Sequence, residues 1–251
     1  MKIFVGPKQR KAQRAEIERR LRKIKIFWLL IGIFLPLIVL ALVAWIDKPS
    51  VSIESGYDGV AKLESNQGFC SAFLVSQNHL ITAAHCLDYM DEGDYLKVSF
   101  QGESQTYQAK ILYIARDYRS SVEEEKIKND YAVLELEDKS FESYYELETT
   151  DNTVKLTDDV IVAGYPGGVT FSAAKGSITG LSWRNYNETL QIMAGAWPGS
   201  SGGPVFDKKT NKVIGILNAG DIEMGGMLVS LKMDVLERDL ELNERINLSF
   251  N

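Results

Sequence analysis

Ser201 stands in the run Gly199-Ser200-Ser201-Gly202-Gly203-Pro204. Glycines admit positive φ and let another group come close to the backbone, so a serine wrapped in them sits on a tight turn open to a ligand. Such a turn aims the N–H groups of Gly199 and Ser201 at one point, where a developing oxyanion would be held. The Ser201 hydroxyl is a weak nucleophile unless a base within hydrogen-bond reach takes its proton. The chain offers 2 histidines, His79 and His85. His85 follows the strand-like run His79-Leu80-Ile81-Thr82, and the small Ala83 and Ala84 allow a tight turn that presents an imidazole at a strand end. A third group comes from Asn129-Asp130-Tyr131-Ala132-Val133-Leu134, which puts an acid at the start of an apolar strand. A partly buried carboxylate there accepts from the imidazole Nδ1–H, sets the tautomer and stabilises the imidazolium. Alone, a histidine is more often structural and an Asp before a strand is more often a turn residue. Together the three residues point to acyl transfer.

Groups of this kind need a rigid frame. Beyond residue 57 the chain is a succession of short apolar runs broken by turn residues. The pattern predicts strands over 59–64, 69–76, 79–83, 95–100, 105–114, 131–137, 159–164, 169–180, 189–195, 204–207, 213–218 and 226–231. Many short strands at such spacing predict an all-β sandwich or barrel. Residues 232–246 read as a helix, with Met233, Leu236 and Leu240 on one face. The polar stretch 116–129, with Glu123-Glu124-Glu125, reads as a solvated loop. No internal repeat is evident.

Charge is unevenly spread. Residues 1–25 hold 10 Lys/Arg against Glu16 and Glu18, whereas residues 47–251 hold 18 Lys/Arg against 32 Asp/Glu. The acidic main part shows no basic stripe, so nucleic acid is not an expected partner. Ile26 to Ile46 is an uncharged apolar run of 21 residues, with Trp28 and Trp45 near its ends and Pro36 inside. That length crosses a hydrocarbon core of ~30 Å. It exceeds the apolar region of a secretory signal, and Leu42-Val43-Ala44 is a poor cleavage site, so an uncleaved anchor is expected. The basic residues before it should stay cytoplasmic, with everything after it in the periplasm or outside the cell. The expected divisions are a basic tail over 1–25, a transmembrane helix over 26–46, a linker over 47–56 and a catalytic domain over 57–251. Membrane lipid is then a partner. The tail, with Ile17, Leu21 and Ile24 on one stripe, is a solvated segment that sets orientation, or else a helix that meets anionic lipid or a partner. Cys70 and Cys86, 16 positions apart, form a disulfide in an oxidising compartment or remain two buried thiols.

The stretches Thr82-Ala83-Ala84-His85-Cys86, Asn129 to Leu136 and Gly199 to Val205, in that order, resemble the three active-site motifs of the trypsin/chymotrypsin-like serine proteases. The resemblance covers roughly residues 57–246. It implies two six-stranded antiparallel barrels with the site between them, a C-terminal helix, and a protein or peptide substrate. It implies His85 as general base and then acid, Asp130 as its orienter, Ser201 as nucleophile, and Gly199 and Ser201 as the oxyanion hole. Cys70 and Cys86 match the family's disulfide beneath the catalytic histidine. Gly-Gly-Pro follows Ser201 at the family's offset, so Ser200 is not the nucleophile. No metal or cofactor is implied.

The departures from the family carry information. Ser200 replaces the Asp that pairs with a freed N-terminus in animal members, and no Ile-Val-Gly-Gly start follows the apolar run, so zymogen activation of the trypsin kind is not expected. Nor is a peptide-binding module of the periplasmic stress-protease kind expected after the protease region. Gly195 falls at the base of the specificity pocket, where no acid supports selection of Arg or Lys. Asn218, Ala219 and Gly220 fall on the wall that pairs with substrate. Leu217 stands where glutamate-specific relatives place a histidine. A neutral pocket for a small or medium apolar side chain is expected. The rival expectation is a membrane-tethered, protease-like domain that binds peptides without cutting them. A second rival is a membrane-tethered adaptor with the basic tail as its working part.

Overall fold

Twelve strands form where the short apolar runs predict them, to within a few residues. β5, Thr106–Ile114, shows why. Tyr107, Ala109, Ile111 and Tyr113 alternate inward and are buried, while Thr106 and Gln108 face out. β1 (Val60–Ser65), β2 (Gly68–Leu74), β3 (His79–Thr82), β4 (Tyr95–Phe100), β5 and β6 (Ala132–Leu136) close into a barrel in the order β1-β2-β3-β6-β5-β4. β7 (Asp159–Gly164), β8 (Ser172–Gly180), β9 (Thr189–Ala194), β10 (Pro204–Asp207), β11 (Val213–Asp221) and β12 (Met227–Lys232) close into a second. Its order, read from β7, is β7-β8-β9-β12-β11-β10, the topology of the first barrel again. The twelve strands pair with one another antiparallel throughout, so this is an all-β fold of two six-stranded barrels.

The computed structural model describes residues 56–65, 68–150, 153–221, 226–246, 248 and 250, together with Arg19, Arg20, Arg22 and Lys25. The chain divides into two units, 1–50 and 51–251. Arg19, Arg20, Arg22 and Lys25 are helical and exposed. The apolar run 26–46 and the linker up to residue 55 lie outside the described residues. No helix of the described residues is long and apolar enough to cross a membrane.

Each barrel has its own interior, with Leu80, Leu134 and Val98 in the first and Leu190, Ile192 and Val205 in the second. A third apolar cluster joins them. Phe73, Ile81 and Val133 of the first barrel meet Ala163, Phe206 and Ile216 of the second, all at most 1% exposed. The two barrels are therefore bonded by a dry seam, and loops at its rim are held by both.

Two local expectations change. The C-terminal helix is two short ones, Asp234–Arg238 and Leu240–Arg245. Asp239 breaks it at φ −76°, ψ 102° and caps the second piece, its carboxylate accepting from Leu242 N–H at 3.1 Å. The same carboxylate accepts from the hydroxyls of Tyr113, at 2.6 Å, and Tyr131. Those contacts dock the C-terminus on the first barrel and favour the break. The polar stretch 116–129 also contains a helix, Glu123–Lys128. Its first turn holds Glu123, Glu124 and Glu125 and its last Lys126 and Lys128, an order that suits the helix dipole.

Candidate active site

The site starts from a strand pairing. β3 pairs antiparallel with β6, with Thr82 opposite Ala132. Three residues past Thr82, in the 3-10 turn Ala84–Leu87, stands His85. Two residues before Ala132 stands Asp130, 8% exposed. The register therefore delivers acid and imidazole to the same end of the same strand pair. His85 Nδ1 lies 2.8 Å from Asp130 Oδ2, and the His85 backbone N–H donates to Asp130 Oδ1 at 2.9 Å. A carboxylate only accepts, so Nδ1 carries the hydrogen and Nε2 is left as the basic nitrogen.

Burial works to lower the His85 pKa, but the Asp130 hydrogen bond, the Asp130 charge and the Asp88 charge outweigh it and the net shift is upward. Asp88, held by the Tyr118 hydroxyl at 2.7 Å, was not visible as a member of the site from sequence. It closes the turn that carries His85, and spacing alone did not show which way it faced. His79, at the other end of β3, is bonded to Ser76 Oγ through Nδ1 at 2.8 Å. Burial lowers its pKa, opposed by Glu135.

Ser201 lies in the loop between β9 and β10, partly exposed, while Ser200 is buried. The Ser201 carbonyl accepts from Ser71 N–H of β2 at 2.7 Å, and a sulfur of Cys86 lies 3.7 Å from the same oxygen. Next to it, Gly202 N–H donates to Leu217 O of β11 at 2.7 Å. Gly202 has φ +80°, and a Cβ there would stand 2.2 Å from Ser71 O and 2.3 Å from Thr82 Oγ1. Glycine is thus required by contact with the first barrel as well as by φ. Both barrels clamp the Ser201 backbone beside the His85 turn. Neither His85 Nε2 nor Ser201 Oγ has a hydrogen-bond partner among the described residues. In sites without substrate this bond is often long and tightens only in the complex.

The backbone N–H groups of Gly199 and Ser201 also lack a partner among the described residues. Gly199 adopts φ +100°. The preceding carbonyl, of Pro198, is taken by Gly167 N–H at 2.7 Å and so points away from that pair. Two unpaired donors beside a serine are what an anionic oxygen requires.

Cys70 and Cys86 are joined, with Cα atoms 6.0 Å apart, which fastens β2 to the histidine turn. Replacing both by serine is expected to lower the unfolding free energy by about 3 kcal/mol, the loop-entropy value for a bridge of this length, as read by urea denaturation. An unchanged midpoint would mean that the turn is held by other contacts.

The expected pocket residues divide. Gly195 is exposed, and a Cβ added there meets nothing within 4 Å, so it faces open space. The Asn218 side chain is buried. Its amide N–H donates to Asp130 O at 2.8 Å and its oxygen accepts from Leu231 N–H at 3.4 Å. It ties Asp130 to the second barrel. Gly220 is exposed on β11, and the Ala219 backbone pairs with Val229 of β12. A cavity of about 600 Å³ lined by Lys155, Asp159 and Lys208 includes none of these groups.

The description of the trypsin-like peptidase domain matches residues 70–216, a span that holds His85, Asp130, Ser201 and both cysteines. The chain belongs to the trypsin-like peptidase family. Protease Do-like 2, chloroplastic, of Arabidopsis thaliana is 32% identical over 144 residues, covering 55% of this chain and 21% of that protein. The serine protease DegP homolog of Plasmodium falciparum is 32% identical over 154 residues, 58% of this chain and 16% of its own. The chain thus matches a third or less of the length of such relatives. In fold it is similar to the Rv3671c protease of M. tuberculosis in its active form, with TM-score 0.59 at 19% identity over 82% of this chain and 87% of that one. It is similar also to Deg5, with TM-score 0.57 at 20% identity over 76% of this chain and 91% of that one.

The upward shift at His85 makes a prediction, should this member of the trypsin-like peptidase family use His85 as its base. A base must be neutral to accept a proton, and a raised pKa keeps the imidazole protonated to higher pH. The acid limb of kcat/KM should therefore have its midpoint above the ordinary histidine value of 6.5, with activity rising as pH rises through it. A pH–rate profile on a peptide ester checks this. A midpoint below 6.5 would mean that burial, not Asp130, controls the imidazole.

Proposed function

We propose that this trypsin-like peptidase is a membrane-anchored serine endopeptidase whose catalytic domain faces the periplasm or the cell exterior. The observation that carries the catalytic part is the bonded His85–Asp130 pair beside a serine turn with two unpaired N–H groups. Ser201 Oγ attacks the carbonyl carbon of the scissile peptide and its proton passes to His85 Nε2. The carbonyl oxygen, now anionic, is held by Gly199 and Ser201 N–H. His85 returns the proton to the leaving nitrogen as the C–N bond breaks, leaving an acyl-Ser201 ester. Water, deprotonated by His85, then hydrolyses the ester, and Ser201 recovers its proton. Asp130 stays ionised throughout and steadies the imidazolium. Gly195, with no acid at the expected base of the specificity pocket, favours a small or medium apolar side chain before the cleaved bond.

The anchor rests on the uncharged run 26–46 and the basic residues before it. The bridge between Cys70 and Cys86 suits an oxidising compartment beyond the membrane.

A fluorophosphonate probe should label Ser201 stoichiometrically, and a peptide library should yield a cleavage profile with apolar residues before the cut. Failure to label would replace this reading with that of a peptide-binding domain that does not cut. A reporter active only outside the cytoplasm, fused after Asn251, should give signal. A silent reporter with a correctly folded fusion would overturn the orientation.

A further inference from the structure

The serine turn is braced by a side chain that the proposed mechanism does not use. Ser71 on β2 is fully buried. Its hydroxyl donates to Gly199 O at 2.8 Å and accepts from Tyr165 N–H at 2.9 Å. A hydroxyl has a single hydrogen, so the bond to Gly199 commits it. Its backbone is committed as well, the N–H to Ser201 O at 2.7 Å and the carbonyl to Thr82 Oγ1 at 2.8 Å.

The consequence lies in which peptide groups are held. Gly199 stands between two peptide planes. In the first, Pro198 C=O accepts from Gly167 N–H at 2.7 Å. In a trans peptide the N–H points opposite to the C=O, so this bond sets the direction of Gly199 N–H. In the second, Gly199 C=O is held by Ser71. Gly167 lies two residues beyond Tyr165, whose N–H the same Ser71 hydroxyl accepts. One buried hydroxyl of the first barrel therefore touches both strips of second-barrel backbone that meet at the Gly199 N–H, whereas the Ser201 N–H is set by the next peptide, whose Ser200 C=O accepts from Gly203 N–H at 3.0 Å. Glycine permits many φ values. Without the brace, Gly199 C=O and Tyr165 N–H both lose their partner, and the direction of Gly199 N–H rests on the Gly167 to Pro198 bond, whose own strip is then held less firmly.

We propose that the Ser71 hydroxyl is the positioning residue of the oxyanion hole and keeps it assembled in the resting fold, with no activating segment required. The proposal rests on the serine peptidase reading above. Ser71 touches neither substrate nor reacting atoms. It acts through Gly199 and the Tyr165 to Gly168 strip.

The test compares Ser71→Ala with the parent, using full-length protein. Removing an oxyanion donor outright costs about 10²–10³ in kcat, so loosening one should cost roughly 10–100-fold, with KM little changed. A peptide boronate forms a tetrahedral adduct on Ser201 and reads the hole directly. Its affinity should fall by the same factor as kcat/KM, while a peptide aligned in the groove but unable to react should bind as before. Ser71→Thr and Ser71→Val, equal in shape and differing by the hydroxyl, repeat the comparison if the alanine variant does not fold. Thr should recover the rate and Val should not. Parent labelled by fluorophosphonate, with the variants equal to it in kcat and boronate affinity, would overturn the brace alone. A variant that loses thermal stability yet keeps full boronate affinity per folded molecule would do the same. A parent that is not labelled at all overturns the peptidase reading first and the brace with it.

Discussion

Ser201→Ala is expected to abolish fluorophosphonate labelling and to lower kcat by about 10⁶, leaving the slow residual rate that binding and the oxyanion donors supply. The structure gives this variant a clean background. Ser201 is only partly buried, and its backbone contacts to Ser71 and to the Cys86 sulfur remain when the hydroxyl is removed. The unfolding midpoint should therefore stay near that of the parent while activity vanishes. Ser200→Ala is the paired control. Ser200 is buried and its backbone turn is kept by Ser200 N–H to Trp197 O at 3.0 Å, so losing its hydroxyl should have a modest effect. His79→Gln should likewise retain most activity, because that imidazole is engaged with Ser76 at the far end of β3. Burst kinetics with a peptide ester, alongside the labelling, decide the matter. An active Ser201→Ala with a dead Ser200→Ala would shift the nucleophile by one residue.

Asp130→Asn should fold normally and lose about 10⁴ in kcat, the size that this amide substitution has in serine protease triads generally. The geometry here supplies its own reason. Two donors face the carboxylate, His85 N–H on Oδ1 and His85 Nδ1–H on Oδ2. An amide offers one acceptor. The backbone N–H cannot change its nature, so it keeps the amide oxygen, and the NH₂ group is turned toward Nδ1. Nδ1 must then accept, which puts the ring hydrogen on Nε2 and removes the base. The same change removes the Asp130 contributions that raise the imidazole pKa and leaves the burial that lowers it. The residual activity should therefore show an acid limb at lower pH than the parent's. Nuclear magnetic resonance of the ring nitrogens reads the tautomer directly. An Nδ1–H signal persisting in an inactive Asp130→Asn would refute the tautomer account.

The amino-acid sequence by itself determined a good deal of this protein. Ser201 among its glycines, His85 after its strand and Asp130 before another were legible because each motif is a local pattern. The twelve strands were legible for the same reason, since each is a short apolar run bounded by turn residues. The apolar run 26–46 with its basic flank is equally a property of contiguous residues. What the tertiary structure alone decided involves partners far apart in the chain. The repeat of one strand order in both barrels left no mark in the sequence, because many residue choices satisfy the same pleat. The bond from the Asn218 amide to the Asp130 carbonyl joins residues 88 apart in the chain. Ser71 and Gly199 lie 128 residues apart, and no spacing rule connects them. The predicted single C-terminal helix broke at Asp239 because a carboxylate that caps a helix also meets two tyrosines of the first barrel. In each case the local pattern chose the element, and contact across the dry seam chose which side chain bonds to which.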